Sequence, residues 1–386
     1  STDNADSSSI GTILGPLRIS QSNPRYFTDG SGKAIYLTGS HTWSNLKDMG
    51  ETDPPPAFDY NSYLNFLKQY NHNFIRLWTW ELTKYQYSGE SIKYATPFPW
   101  LRTGPGIALD GKPKFDLTKF NQDYFDRLRS RVMLAKEKGI YVSIMLFESH
   151  GIFFSNPPWR WDGHPFNINN NINGIDGDPD KDGRGLESHT LQIPAIVKIE
   201  EDYVKKVIDT VNDLDNVLYE ISNEDHTDSI EWQYHMINLI HNYEKMKPKQ
   251  HPVGITTHTK LGNDIAFNSP ADWVSPSVAS WANQNDPYKI DPPVADGEKV
   301  MILDTDHLWG IGGDRIWVWK SFLRGYNPIY MDNLDSDATK EGARRAMGHT
   351  LTYANKMNLK DMSSHSDLAT TTYCLANPGV EYLVYQ

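Results

Sequence analysis

Four acidic positions stand directly after apolar, strand-forming runs: Glu81, Glu148, Glu224 and the Asp304/Asp306 pair. Hydrolysing a glycosidic bond needs one acid to protonate the leaving oxygen and a second carboxylate to attack the anomeric carbon or to activate water. Two facing strand ends can supply both. The sharpest of the four is Asn223-Glu224, where an amide suited to a sugar hydroxyl sits beside a glutamate that can point at the leaving oxygen. For the partner carboxylate, Asp304 and Asp306 share a face with Val300 and Ile302, so strand alternation does not separate them. Asp304, directly after the apolar run, is slightly preferred. Glu81 and Glu148 can hold substrate hydroxyls, serve as an alternative second carboxylate or pair with Arg or Lys, and neither is the preferred nucleophile.

Aromatic and imidazole groups cluster in the same predicted loops. His41, Trp43, Trp78, His258, Trp281, His307 and Trp309 are candidates to stack on or hydrogen-bond sugars, and the 12 Trp and 21 Tyr of the chain favour a carbohydrate ligand over a nucleotide. Taken singly, each serves packing as readily as binding. Asp178, Asp180 and Asp182 alternate before Gly183, with Glu187 close behind, which resembles the start of an oxygen-rich calcium loop. The twelfth position is His189 rather than Glu, so a true helix-loop-helix hand is not expected. The loop suits a structural calcium, and no cofactor is required for the chemistry. Gly310-Ile311-Gly312-Gly313 lacks the lysine and helix of a phosphate loop, and neither a zinc spacing nor a Ser-His-Asp order is present.

These residues need a scaffold that brings strand ends together. Apolar runs alternate with helical-period segments, the pattern of a parallel sheet covered by helices. Residues 73–78, 140–147, 217–222, 253–257, 273–276, 299–303 and 328–331 read as strands two to eight, and helices are expected over 57–70, 117–138, 195–211 and 338–357. Segments 17–19, 26–28 and 34–37 around Asp29-Gly30-Ser31-Gly32 read as a hairpin that covers the barrel floor and leads into strand one. The fold class is therefore α/β, a (β/α)8 TIM barrel over residues 15–362. It follows a flexible segment, 1–14, and precedes the start of a C-terminal β domain, 363–386, whose strands flank Asn377-Pro378-Gly379. The 386-residue length suits this architecture, and catalytic groups belong at the C-terminal strand ends. The Asn-, Asp- and Gly-rich stretch 167–185 is a long loop at that end.

Bulk properties narrow the partners. A net charge of −12 argues against nucleic acid and anionic membranes, and the single Cys374 excludes intrachain disulfides and cysteine metal clusters. No apolar run reaches the ~18 residues of a membrane helix. The small, polar opening residues suit a stalk left after processing, so a secreted, periplasmic or cell-surface protein is expected.

The Asn223-Glu224 pair and the strand-two sequence Asn73-Phe74-Ile75-Arg76-Leu77-Trp78 resemble clan A glycoside hydrolases. The resemblance implies that Glu224 is the general acid/base, that a carboxylate on strand seven is the nucleophile, and that Arg76 keeps this nucleophile ionised. That clan usually has Glu on strand seven, and here there is Asp. Gly15-Pro16-Leu17-Arg18, Arg25-Tyr26-Phe27, the stretch 36–43 and Tyr382-Leu383-Val384-Tyr385 are similar to bacterial, apiosidase-related glycosidase-like proteins that carry a so-called collagen-binding β domain. The expectation is a retaining glycoside hydrolase acting on a complex polysaccharide or oligosaccharide, with Asn223 and Arg76 assisting. The alternatives are an inverting hydrolase on the same barrel and a non-catalytic carbohydrate-binding protein.

Overall fold

The computed structural model describes residues 12–258 and 262–386. Most of the expected flexible segment, 1–14, lies outside the described residues. The remainder builds an eight-stranded parallel sheet from β1 (Gly39–His41), β2 (Phe74–Leu77), β3 (Tyr141–Glu148), β4 (Val217–Asn223), β5 (Val253–Thr256), β6 (Trp273–Ser275), β7 (Val300–Asp304) and β8 (Asn327–Met331). The hydrogen-bonded order is β2-β3-β4-β5-β6-β7-β8-β1, a TIM barrel open only between β1 and β2. That seam is held at its lower end, where Asn73 N donates to Thr38 O (3.0 Å) and Thr38 N to Asn73 Oδ1 (2.9 Å). A Cβ at Gly39 would lie 2.2 Å from the Phe74 carbonyl oxygen, so only glycine lets the two strands approach this closely. The strands read as near-continuous apolar runs because helices cover their outer faces and barrel packing fills their inner ones; every residue of β3 and β4 is buried.

The hairpin Arg18–Ile19/Phe27–Thr28 closes the floor as expected. Leu17 and Phe27 pack with Phe74, Leu218, Val300, Ile302 and Ile329 from β2, β4, β7 and β8. Ile35 is still bridged to Phe27, and strand one follows at Gly39. The helix expected over 117–138 starts at Gln122, because Asp116–Phe120 instead forms a strand against Trp100–Leu101.

Two additions flank the barrel. After β2 the chain makes an excursion that patterning did not anticipate, in which Lys93–Thr96 pairs antiparallel with both Asp48–Gly50 and Lys84–Tyr85. At the C-terminus Cys374–Asn377 and Glu381–Val384 form the expected antiparallel pair, joined by Ser363–Ser364. This small sheet packs Leu375 against Phe322 and Leu351, on the helices Arg315–Leu323 and Ala338–Lys356. No helix among the described residues is long and apolar enough to cross a membrane.

Candidate active site

A single guanidinium organises the barrel mouth. Arg76 projects from the middle of β2 with all five of its N–H donors engaged. Nε donates to Glu220 (2.8 Å), Nη2 to Glu220 and to Asn223 (2.7 Å), and Nη1 to Asp304 (3.0 Å) and Asp306 (2.9 Å). The ends of β4 and β7 are thus tied to one cation from β2. Burial by itself would weaken the charged state of Arg76, but Glu220 and the two aspartates more than offset this and hold the guanidinium ionised.

Asp304 and Asp306, inseparable by alternation, are separated by the turn. Asp304 ends β7 on the inner face above Val300 and Ile302, fully buried. The chain then leaves the extended form for a 3-10 turn, Thr305–His307, capped by Asp304 Oδ1, which accepts from Asp306 N (2.9 Å). Trp78 Nε1–H donates to His41 Nδ1 (2.9 Å), so His41 carries its hydrogen on Nε2 and donates it to Asp304 (2.8 Å). Burial would raise Asp304, but His41 and Arg76 hold it far below the usual carboxylate range. Asp304 is consequently an anchor beneath the site, and the preference for it over Asp306 is reversed. Asp306 lines a cavity of about 630 Å³. Burial pushes its carboxyl up to about 6 against the pull of Arg76, with the charge of Asp304 adding to the rise.

Glu224 faces the same cavity. It follows the last residue of β4 with φ of 50°, a left-handed conformation uncommon for a residue with a Cβ. This break in alternation lets the adjacent Asn223 and Glu224 both line the cavity. Burial raises the Glu224 carboxyl well above its usual range, reinforced by the charges of Asp306 and Glu148. It forms no ion pair among the described residues.

The remaining wall comes from the C-terminal ends of all eight strands. Of the residues expected to touch a ligand, Asn223, Trp43, Trp78, His258 and Trp281 line the cavity. Trp80, shortly after β2, and Tyr85, Tyr87, Glu90 and Lys93 from the excursion were missed; the short strands of the excursion have no clear period. Glu220 was missed as well.

The other candidates lie behind the wall. His307 accepts or donates at Ser275 Oγ (3.0 Å) and lies near Asn223 (3.4 Å); burial and then Arg76 lower it to about 3, so it is neutral. Trp309 packs edge-on to Trp317. Glu81 accepts from His164 (2.9 Å), from Glu148 N (2.7 Å) and from His189 (3.0 Å). His189 also donates to Asp225 (2.8 Å), the neighbour of Glu224. Burial opposes charge on His189, but Asp225 and Glu81 outweigh it and hold the ring as an imidazolium. Glu81 and Glu148 are therefore parts of a buried network, away from the cavity.

Glu148 is buried, accepts from Gly151 N (3.1 Å) and has its carboxyl raised well above the ordinary 4.5 by burial. A carboxyl raised on folding contributes stability that is whole below its unfolded pKa and drains away as pH climbs to the folded one. Gln keeps an acceptor for Gly151 and has no charge to bury. Glu148→Gln should therefore raise the melting temperature more at about pH 8 than at about pH 4; equal changes at both would show that this carboxyl is not penalised.

In the acidic loop the structure brings Asp178 and Asp180 together with Glu187, and Asp182 does not join them. The loop turns back after Gly183, so the third acid comes from the far arm instead of from the next alternating position.

A family 5 mannosidase from Rhizomucor miehei superposes with a TM-score of 0.54 at 14% identity, covering 89% of this chain and 99% of that one. A glycoside hydrolase candidate from Bacteroides vulgatus ATCC 8482 gives 0.58 at 13% identity, covering 96% of this chain and 66% of that one. The endo-1,4-beta-mannanase of Rhizomucor miehei gives 0.53 at 12% identity, covering 90% and 99%. These likenesses establish a shared fold. No curated protein sequence matches the chain. Residues 89–286, just over half of the sequence and including Glu224 and the acidic loop, match the family described as "Domain of unknown function (DUF6298)", and the chain belongs to that family.

Proposed function

We propose that this protein is a glycoside hydrolase that works by retention, with Glu224 as general acid/base and Asp306 as nucleophile. The observation that carries the reading is the unequal treatment of two carboxyls on one aromatic-lined cavity. Asp306 is gripped by Arg76, whereas Glu224 is buried and forms no ion pair among the described residues. Arg76 favours the ionised form of Asp306, while burial and the neighbouring acidic charges favour the protonated form of Glu224, the division of labour that glycoside cleavage requires. Retention requires the two carboxyls about 5 Å apart, inversion about 6.5–9.5 Å. Asp306 would attack the anomeric carbon while Glu224 gives its proton to the departing oxygen; Glu224 would then take a proton from water as that water releases the sugar from Asp306. The Asn223 amide, oriented by Arg76 through its oxygen, keeps its N–H groups for a sugar hydroxyl.

The cavity volume falls within the ~300–1,000 Å³ of small-ligand sites, and the partly exposed indoles of Trp43 and Trp281 in its wall offer flat faces for sugar rings. We take the substrate to be a complex polysaccharide or a fragment of one, which places the enzyme outside the cytoplasm. Mannans, the substrate class named for the Rhizomucor miehei neighbours, and apiose-containing plant glycans, after the apiosidase-related resemblance, head the panel to test. Incubation with such glycans should release reducing ends, and the sugar first released should keep its anomeric configuration. An inverted anomer would move Asp306 to the role of base, and tight sugar binding with no release on any glycan would identify a lectin-like barrel.

A further inference from the structure

The loop between β3 and the helix Pro194–Val211 carries a second group of acids, remote in sequence from the carboxyls of the mouth. Asp178, Asp180 and Glu187 each bring a carboxylate oxygen within 4.8 Å of the others. None of the three is paired with a Lys, Arg or His among the described residues, and the loop's own Lys181 bonds to Asp176 instead. Two of the converging groups have oxygens that are buried and accept no hydrogen bond, Asp178 Oδ1 and Glu187 Oε2, and Asp178 is only 7% exposed. A buried carboxylate oxygen left without a donor is costly, and a third anion nearby compounds the cost. A cation bound among the three removes both penalties.

The donor set selects the cation. It is all oxygen, and the nearest imidazole along the chain, His189, has both ring nitrogens committed to Asp225 and Glu81, which disfavours zinc. Magnesium keeps most of its waters, whereas calcium accepts several carboxylates in irregular geometry. We propose that Asp178, Asp180 and Glu187 bind a calcium ion. The ion has a structural consequence, because the loop is wrapped on Trp161. A Cβ at Gly177 would lie 2.7 Å, and one at Gly185 2.2 Å, from that indole, so both arms of the loop press on it. Two residues beyond Glu187, His189 reaches Asp225 beside Glu224. Calcium would fix the base of the arm that supports the β4 turn.

The test uses the full chain stripped with EDTA and titrated with calcium chloride, followed by calorimetry and thermal melting. It reads binding, so its outcome is independent of whether the barrel cleaves glycosides. One ion per chain and a melting temperature several degrees higher in about 1 mM calcium than in EDTA are expected. Terbium should bind competitively and luminesce on excitation of tryptophan. Asp178→Asn and Glu187→Gln should each lower calcium affinity at least tenfold, yet melt in EDTA no lower than the parent, because fewer like charges are forced together. The proposal is overturned by an absence of heat and of any calcium-dependent melting shift, by a full shift in both variants, or by magnesium matching calcium at equal concentration.

Discussion

Glu224→Gln is expected to lower turnover by about 10²–10⁴-fold on glycosides whose leaving oxygen must be protonated, with the fold unchanged. Gln is the same size, so the buried site is neither emptied nor overfilled. On an aryl glycoside with a very acidic phenol the first step needs little protonation, so the loss there should be smaller and azide should accelerate release of the glycosyl group from Asp306. The parent's pH dependence follows from the same pair. As pH falls through about 6, Asp306 gains a proton and the rate declines; as pH rises through the elevated Glu224 value, the acid is lost and the rate declines again. The Gln variant should keep the acidic limb and lose the alkaline one. Unaltered turnover in this variant would remove Glu224 from the chemistry.

Arg76→Met should cost about 3–5 kcal/mol of folding stability, measured by urea denaturation, because it leaves several carboxyls buried without their cation. Against a net stability of ~5–15 kcal/mol that is a large share, so the variant will be fragile or poorly expressed. The double change Arg76→Met with Glu220→Gln tests the mechanism where the single one fails to fold. Glu220 takes two of the five Arg76 hydrogen bonds, so neutralising it should recover part of the loss, a departure from additivity of about 0.5–3 kcal/mol. Stability within about 0.5 kcal/mol of the parent in the single variant would mean the network contributes nothing, as for ordinary surface changes.

How much of this was legible in the residues depends on whether the chain was regular where it mattered. The strands were readable because a parallel barrel strand is buried on both faces; Val217 to Ser222 could hardly be anything else, and Asn223-Glu224 at its end was visible at once. Asp304 and Asp306 were not separable, since alternation presumes an extended chain and Thr305 begins a helical turn. Glu220 carried a usable signal: an acid in the middle of a fully buried strand demands a cation, and Arg76, equally central in its own strand, was the partner available. The wall built by Tyr85, Tyr87, Glu90 and Lys93 gave none, because strands of two to four residues fixed by tertiary pairing have no periodicity to detect. In the acidic loop, alternation pointed to Asp182, while a reversal of the chain supplied Glu187.

The left-handed backbone at Glu224 sets a trap for anyone hardening this protein. Glycine occupies that conformation without steric cost, and it would also abolish the need to sequester an acidic group in the barrel mouth. A library screened for heat tolerance alone should accordingly enrich glycine at position 224 and return barrels that survive longer and do nothing. Selection on this scaffold has to score product at every round.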